Sequence, residues 1–308
     1  MKILLLGGTG QVGWELQRAL APLGDVLAPD RSACDVADAD AVRRAIREMA
    51  PQAVINAAAY TSVDRAEAQP ALAHAINALA PAAMAEACAR LDAWLVHYST
   101  DYVFDGSGAR PWHENDATGP QNVYGRTKLE GEQAVQRAGC RHLILRTSWV
   151  YAARGHNFPL SILRLAAQRP SLRVVADQFG APTGAELIAD VTAHALRATL
   201  AAPQLGGLYH LAASGETTWC DYARLVLDCA RRHGRLLQAG PEQVEPIPTS
   251  AYPTPARRPL NSRLDTTRLR QAFGIVLPDW RVGVGRVVGE WGWGMGMREW
   301  GTGMRDEG

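Results

Sequence analysis

Ile3-Leu4-Leu5-Leu6-Gly7-Gly8-Thr9-Gly10-Gln11-Val12-Gly13 is the stretch that decides the fold. Its four apolar residues show no polar alternation, as expected of a short strand buried on both faces. Glycines follow at positions 7, 10 and 13, and a helix-forming run over 11–21 comes next. Glycine permits a tight turn and lets the backbone approach a bulky anionic group. A helix starting there offers free N–H groups and the positive end of its dipole. The spacing is Gly-x-x-Gly-x-x-Gly, and the strand–turn–helix setting gives it meaning. It predicts a dinucleotide-binding turn, with Gly7, Gly10, Gln11, Val12 and Gly13 against the pyrophosphate.

Outward from this turn, strand and helix alternate. Val26-Leu27-Ala28 reads as a second strand, Asp38 to Met49 as a helix, and Ala53 to Asn56 as a third strand. An alanine-rich helix over 71–91 precedes a fourth strand, Trp94 to Tyr98, that runs into Ser99-Thr100-Asp101. The Gly- and Pro-rich segment 105–120 is a loop, 122–138 a helix, and His142 to Arg146 a strand. Regular alternation implies a parallel sheet with right-handed crossovers, hence an α/β fold of the Rossmann-type doubly wound kind. Residues 1–150 are read as the dinucleotide-binding domain. After Trp149 the rhythm changes: helices near 157–168, 185–200 and 218–232 are mixed with short strands and proline-rich connections. Residues 151–290 are therefore read mainly as a smaller substrate-binding lobe, returning one or two strands to the main sheet. The Gly/Trp/Met-rich stretch 291–308 is expected to be irregular, its three tryptophans needing a surface such as a partner subunit to bury against.

Composition narrows the class. The chain has 308 residues, 47% hydrophobic and 20% charged, as in an ordinary soluble enzyme. A net charge of +1 gives no nucleic-acid footprint. The opening apolar run stops at Gly7, too short for a secretory core, and no stretch is long enough to span a membrane. Five scattered cysteines, Cys34, Cys88, Cys140, Cys220 and Cys229, suggest reduced thiols in the cytoplasm rather than a disulfide frame or zinc site.

Several residues carry candidate chemistry. Asp30 closes the second strand, where an acid bonds adenine-ribose hydroxyls and favours NADH, whereas its neighbour Arg31 would meet the 2′-phosphate of NADPH. Both cofactors stay open. Asp35 and Val36 are placed beside the adenine. Small residues after the third strand allow a cofactor to lie close, so Ala59, Tyr60 and Thr61 join the cofactor set, with Tyr98 at the end of the fourth strand. Thr100 sits at a strand's carboxyl end, where its hydroxyl is placed to bond a substrate carbonyl. Tyr124 and Lys128 stand four apart in Asn122-Val123-Tyr124-Gly125-Arg126-Thr127-Lys128 and share a helix face. A free phenol, with a pKa of about 10, is a poor proton donor near neutrality, and an ammonium nearby lowers that value. Arg257, Arg258 and Arg263 either bind a diphosphate or are surface charge.

These residues resemble the extended short-chain dehydrogenase/reductases. The narrower strings are Gly10-Gln11-Val12-Gly13-Trp14-Glu15-Leu16, Val63-Asp64-Arg65-Ala66-Glu67, Ser99-Thr100-Asp101-Tyr102-Val103-Phe104-Asp105-Gly106, Arg146-Thr147-Ser148-Trp149-Val150-Tyr151, Asp177-Gln178-Phe179-Gly180-Ala181-Pro182-Thr183 and Arg258-Pro259-Leu260-Asn261-Ser262. They resemble the members that reduce a dTDP-linked 4-keto-6-deoxyhexose, over Met1 to about Glu290. The resemblance implies a catalytic set of Thr100, Tyr124 and Lys128. It implies a sugar-nucleotide pocket lined by Thr100, Asp101, Tyr124 and Trp149. It also implies a homodimer linked by Mg2+, with Glu15, Glu186 and Glu290 at the matching positions. Rivals are a related dehydratase or epimerase, and a non-catalytic regulatory subunit on the same fold. A dehydratase commonly carries Asp-Glu directly after the threonine; here Asp101 is followed by Tyr102.

Overall fold

The structure, a computed structural model, describes residues 1–294, with side chains as far as Trp291. In chain order the first elements are β1 (Lys2–Leu6), α1 (Gln11–Leu20), β2 (Asp25–Leu27), α2 (Ala39–Met49), β3 (Ala53–Asn56), α3 (Val63–Ala68), α4 (Pro70–His74), α5 (Ala80–Leu91), β4 (Trp94–Thr100), α6 (Val123–Arg137) and β5 (Arg141–Thr147). There follow β6 (Val150–Tyr151), α7 (Phe158–Ala166), β7 (Leu172–Val175), β8 (Phe179–Gly180), β9 (Thr183–Gly184), α8 (Ala185–Ala201), β10 (Gly207–His210), β11 (Thr217–Thr218), α9 (Trp219–Arg232), β12 (Val244–Ile247), α10 (Thr267–Phe273) and α11 (Trp280–Gly294).

Six strands form one parallel sheet in the order β10-β5-β4-β3-β1-β2. The chain steps from β1 to β2 on one side and then returns to place β3 on the other. Such a reversal opens a ligand crevice at the carboxyl ends of the two diverging strands, here β1 and β3. Alternate residues of β1 serve opposite layers, as strand geometry requires. Ile3 and Leu5 pack with Leu16 and Leu20 of α1, Ile188 and Leu196 of α8, and Leu269 and Phe273 of α10. Leu4 and Leu6 pack with Val42 and Ile46 of α2 and Met84 and Cys88 of α5. Thus α8, β10 and α10, all beyond residue 150, complete the first layer, and one strand returns to the sheet.

A third core unites α7, α9 and α11 through Ile162, Tyr222, Val226, Trp280 and Val284. Short pairs edge it: β7 with β12, β8 with β11, and β6 with β9.

Two local expectations need correction. The helix expected over 71–91 is interrupted by a π-helical turn at Ala75–Leu79. The turn brings Asn77 against α6, where its Nδ2 donates to Thr127 Oγ1 at 3.2 Å. Gly131 makes this approach possible, since a Cβ there would lie 2.2 Å from the Asn77 carbonyl. The second correction concerns the tail. Residues 291–294, expected to be irregular, continue α11. Buried Val284, Val287, Val288 and Trp291 follow the i, i+3, i+4, i+7 rule of a helix face, which the surrounding glycines conceal in the sequence. Trp291 buries in its own chain rather than against a partner, its Nε1 donating to the Ala153 carbonyl at 2.6 Å. Residues 295–308, including Trp300, lie outside the described residues.

Candidate active site

The glycine turn forms the first wall of the crevice. Gly7 adopts φ +81°, and a Cβ there would lie 2.6 Å from the Ala58 nitrogen; one on Gly13 would lie 2.0 Å from the Gly7 carbonyl. Gly10 caps α1 with extended backbone and no side-chain hydrogen bond. The first N–H groups of α1 are therefore left without a side-chain partner at the positive end of the helix. This cradle, formed where side chains would collide, fits a dinucleotide pyrophosphate.

Beyond β2 the adenine-side residues bond one another. Asp30 Oδ1 accepts from Ser32 N at 2.9 Å, Ser32 Oγ at 2.6 Å and Ala33 N at 3.0 Å. These bonds, with the Ser32 hydroxyl first, hold its carboxyl below the usual range. Exposed Arg31 reaches Asp35 at 3.3 Å, and Asp35 Oδ1 also accepts from Ala37 N at 3.0 Å. Val36 packs at the edge of the α2/α5 core. After β3, Ala59 and Tyr60 are half-buried and Thr61 is exposed. Asn77 fixes this turn by accepting from Tyr60 N at 2.9 Å and donating to Tyr60 O at 3.1 Å.

The end of β4 and the start of α6 form the chemical centre. Thr100, buried at the last position of β4, donates from Oγ1 to Asp101 Oδ1 at 3.1 Å and accepts from Tyr102 N at 3.2 Å. Asn122 caps α6, accepting from Gly125 N at 2.8 Å. Gly125 lets the helix close onto this loop, because a Cβ there would lie 2.2 Å from the Tyr102 carbonyl. Tyr102 and Tyr124 then meet edge to face at 5.5 Å. Thr100 lies close enough to Tyr124 for its hydroxyl to act on the phenol, so the expected threonine and tyrosine are brought together.

Lys128 is 2% exposed and donates to the Tyr98 carbonyl at 2.6 Å. Tyr98 thus serves the site with its backbone. Its phenol turns into the sheet core and meets Thr192 Oγ1 at 2.7 Å. Strand alternation explains this, since Tyr98 points to the face opposite His97.

Burial dominates the electrostatics. It raises the Tyr124 phenol above its ordinary value, with Thr100 opposing and Asp101 and Tyr102 adding to the rise. The lowering expected from Lys128 is not found here: burial raises the phenol, and the group that opposes the rise is Thr100. Burial likewise brings Lys128 down to about 8, against the pull of Glu132. It pushes Asp101 up to about 7, with Ser262 and Thr100 opposing.

The second wall is aromatic. Trp149 follows β5, whose Thr147 pairs with Thr100 across the sheet. It adopts φ +49°, rare for a bulky residue. Its ring stacks on Trp219 at 3.7 Å, and Phe158 and Tyr222 continue the cluster. Gly180 makes room, since a Cβ there would lie 2.6 Å from the Trp149 ring. Arg258 and Arg263 are engaged in ion pairs, with Asp64 at 2.7 Å and Glu216 at 2.5 Å, while Arg257 stays exposed.

Glu15, Glu186 and Glu290 feel one another: burial raises the Glu186 carboxyl, and the other two add repulsion. Yet Arg286 stands between Glu186 and Glu290, at 3.9 Å and 3.3 Å, and Glu15 pairs with Arg18 at 3.6 Å. Among the described residues no set of three or more acidic, His or Cys side chains is placed to hold a metal. The expected metal set does not fit within one chain.

Sequence reasoning missed Asn77, Trp219 and the pair Glu132–Arg146. Only Glu132 carried a signal, standing four residues beyond Lys128 on the same helix face.

The sheet order, the glycine cradle and the Thr–Tyr–Lys grouping together define a Rossmann-type short-chain dehydrogenase/reductase of the extended class. Within that class the chain belongs to the RmlD substrate binding domain family, whose model matches residues 1–292. It is 55% identical to the dTDP-4-dehydrorhamnose reductase of Escherichia coli K12 over 294 residues, covering 94% of this chain and 98% of that one. To the Burkholderia thailandensis dTDP-4-dehydrorhamnose reductase it is 47% identical, at 94% and 98% coverage. Among solved structures, the dTDP-4-dehydrorhamnose reductase of Bacillus anthracis, in complex with NADP, superposes with a TM-score of 0.84 at 32% identity, covering 94% of this chain and 99% of that one. A Thermus thermophilus UDP-glucose 4-epimerase complexed with NAD, at 21% identity and a TM-score of 0.78, shares the fold.

Proposed function

We propose that this chain reduces dTDP-4-dehydro-L-rhamnose at C4, using NADPH or NADH, and yields dTDP-L-rhamnose for cell-surface polysaccharide such as O-antigen. The observation that carries this reading is Tyr124 beside Thr100 at the sheet's carboxyl edge, with Lys128 one helical turn further on. When bound, the reduced nicotinamide supplies the reducing equivalents. Tyr124 gives its proton to the C4 oxygen as negative charge develops there. Thr100 supports the same oxygen by turning its hydroxyl proton to it from Asp101, its partner in the free site. Lys128, anchored by the Tyr98 carbonyl, holds the nicotinamide ribose and sets positive charge behind the forming phenolate. Trp149 and Asp101 line the sugar side. Asp30 already accepts three local hydrogen bonds while the Arg31 guanidinium stands exposed, which favours NADPH.

The finer parts of this reading are a cytoplasmic setting and a homodimer, with Mg2+ only if a second copy completes the carboxylate set. All five cysteines are buried and free, as reduced thiols would be. No helix among the described residues is long and apolar enough to cross a membrane. Sedimentation with and without a chelator tests the dimer and the metal together.

The deciding experiment follows nicotinamide oxidation with dTDP-4-dehydro-L-rhamnose, NADPH and NADH in parallel. Tyr124→Phe should keep cofactor binding and lose roughly 10²–10⁴-fold in turnover. Retained turnover in that variant would end the assignment.

A further inference from the structure

Tyr124, Lys128 and Glu132 follow one another at four-residue steps along α6 and so share one face of the helix. Glu132 is 1% exposed and Lys128 2% exposed. From β5, Arg146 (4% exposed) closes on Glu132 with two bonds, Nε to Oε1 at 2.9 Å and Nη2 to Oε2 at 2.7 Å. The guanidinium is itself confined. It lies over the Phe104 ring at 5.0 Å, and its Nη1 reaches the Glu114 carbonyl at 3.4 Å. Phe104 stacks on Trp112 at 4.7 Å, and His210 N donates to Glu114 Oε1 at 2.9 Å. Arg146 thus fixes the Glu132 carboxylate beside α6 and ties it to the loop that follows the catalytic threonine.

A buried ion pair adds little net stability compared with apolar residues of the same volume. Stability alone therefore does not account for placing three charges in this interior. Lys128 has a different need. A buried ammonium loses its hydration and tends to release its proton. From β4 it meets the Tyr98 carbonyl and the imidazole of His97, which is held neutral by burial first and by Lys128 second. On its own helix Tyr124 and Glu132 stand one turn to either side, and the Glu132 charge acts on it. Of these groups, Glu132 alone brings negative charge.

We propose that Glu132, clamped by Arg146, is the positioning residue that keeps Lys128 cationic and in place behind Tyr124. The role rests on the reductase reading, but its physical core is tested without the sugar. The chain contains only two lysines, Lys2 and Lys128. Protein labelled with 13Cε-lysine gives one signal for each, and Lys2→Arg assigns them. Wild-type Lys128 should titrate near its lowered value of about 8.

In Glu132→Gln/Arg146→Met, which removes both charges of the pair so that neither is buried without the other, the Lys128 midpoint should fall by about 1 unit or more. The melting temperature should stay close to wild type. An unchanged midpoint in this folded protein overturns the proposal and leaves the pair a purely structural contact. If the double variant does not fold, Glu132→Asp decides: its shortened carboxylate should give a smaller fall, and no fall again overturns the proposal. In turnover, the alkaline limb of kcat should move to lower pH in step with the Lys128 midpoint. A shifted midpoint in a protein whose wild type never reduces the sugar nucleotide would sink the reductase reading alone.

Discussion

The two walls of the crevice are made in opposite ways. The wall at α1 is made by leaving side chains out: Gly7 and Gly13 stand where a Cβ would lie 2.6 Å and 2.0 Å from backbone atoms. The wall beyond β5 is made by packing large rings together, Trp149 on Trp219 at 3.7 Å with Phe158 and Tyr222 behind. The first is backbone against backbone, so it has no freedom to adjust. The second is side chain against side chain, with Gly180 as its one strict requirement. A wall of the first kind suits a group common to a whole class of enzymes, such as a pyrophosphate. A wall of the second kind suits the part of a ligand that varies.

The difference is broken most severely from the rigid side. Gly13→Ala drives a methyl group into the Gly7 carbonyl, and the turn has to open. Overpacking of this kind costs about 1–3 kcal/mol of stability. Because the displaced atoms are the cradle itself, nicotinamide binding should be lost by roughly 100-fold or more, about 2.7 kcal/mol. Fluorescence titration with NADPH measures it. Near-normal affinity would mean that the cradle is not where the cofactor binds.

Asp101, buried beside Thr100 and Ser262, gives the next largest effect. Its folded pKa, about 7, lies above the ordinary 3.8. The folded state thus binds the proton more tightly than the unfolded state. Its contribution to stability is fully present below about pH 4 and is lost as pH rises through about 7. The shift spans about three units, so the loss is at most roughly 4 kcal/mol. Asp101→Asn has no such titration, and should gain on wild type by up to that amount between about pH 4 and about pH 8. Urea unfolding at the two pH values checks the sign. A constant difference would show that the carboxyl is ionised throughout.

The same contrast explains how far the molecule was legible in its sequence. The glycine turn, β1 to β5 and the Tyr124–Lys128 face are encoded by neighbours in sequence, through spacing, period and turn chemistry. They could be read directly. The aromatic wall is assembled from Trp149, Gly180 and Trp219, which the sequence holds far apart. No period marks such a contact. Asn77 was hidden for a related reason: an alanine-rich run reads as plain helix, and only packing against Gly131 calls for the π-helical turn. At the C-terminus, glycines between the valines obscured a helical face that ends on Trp291. Tyr98 offers the site its carbonyl because strand alternation turns its side chain to the face opposite His97, which nearness in sequence to Thr100 does not reveal. The phenol of Tyr124 was expected to be lowered because the ammonium was visible in the sequence and the depth of burial was not.

The mildest test sharpens the comparison from the adaptable side. An aromatic stack contributes about 0.5–1.5 kcal/mol beyond simple burial. Trp219→Leu keeps an apolar side chain and removes the ring that holds Trp149. Trp149 sits at φ +49°, a conformation that needs support from its surroundings. Without Trp219 it is free to relax out of position. The KM for the sugar nucleotide should therefore rise by at most roughly 10-fold, while NADPH affinity and the pH profile of turnover stay as they are. That pattern would mark the aromatic wall as specific to the sugar side. A matching loss of NADPH affinity would show instead that the two walls are mechanically coupled. The hydrogen bond at 3.1 Å from Asn157, the cap of α7, to Gln11 in the first turn of α1 would then be the connection to cut next.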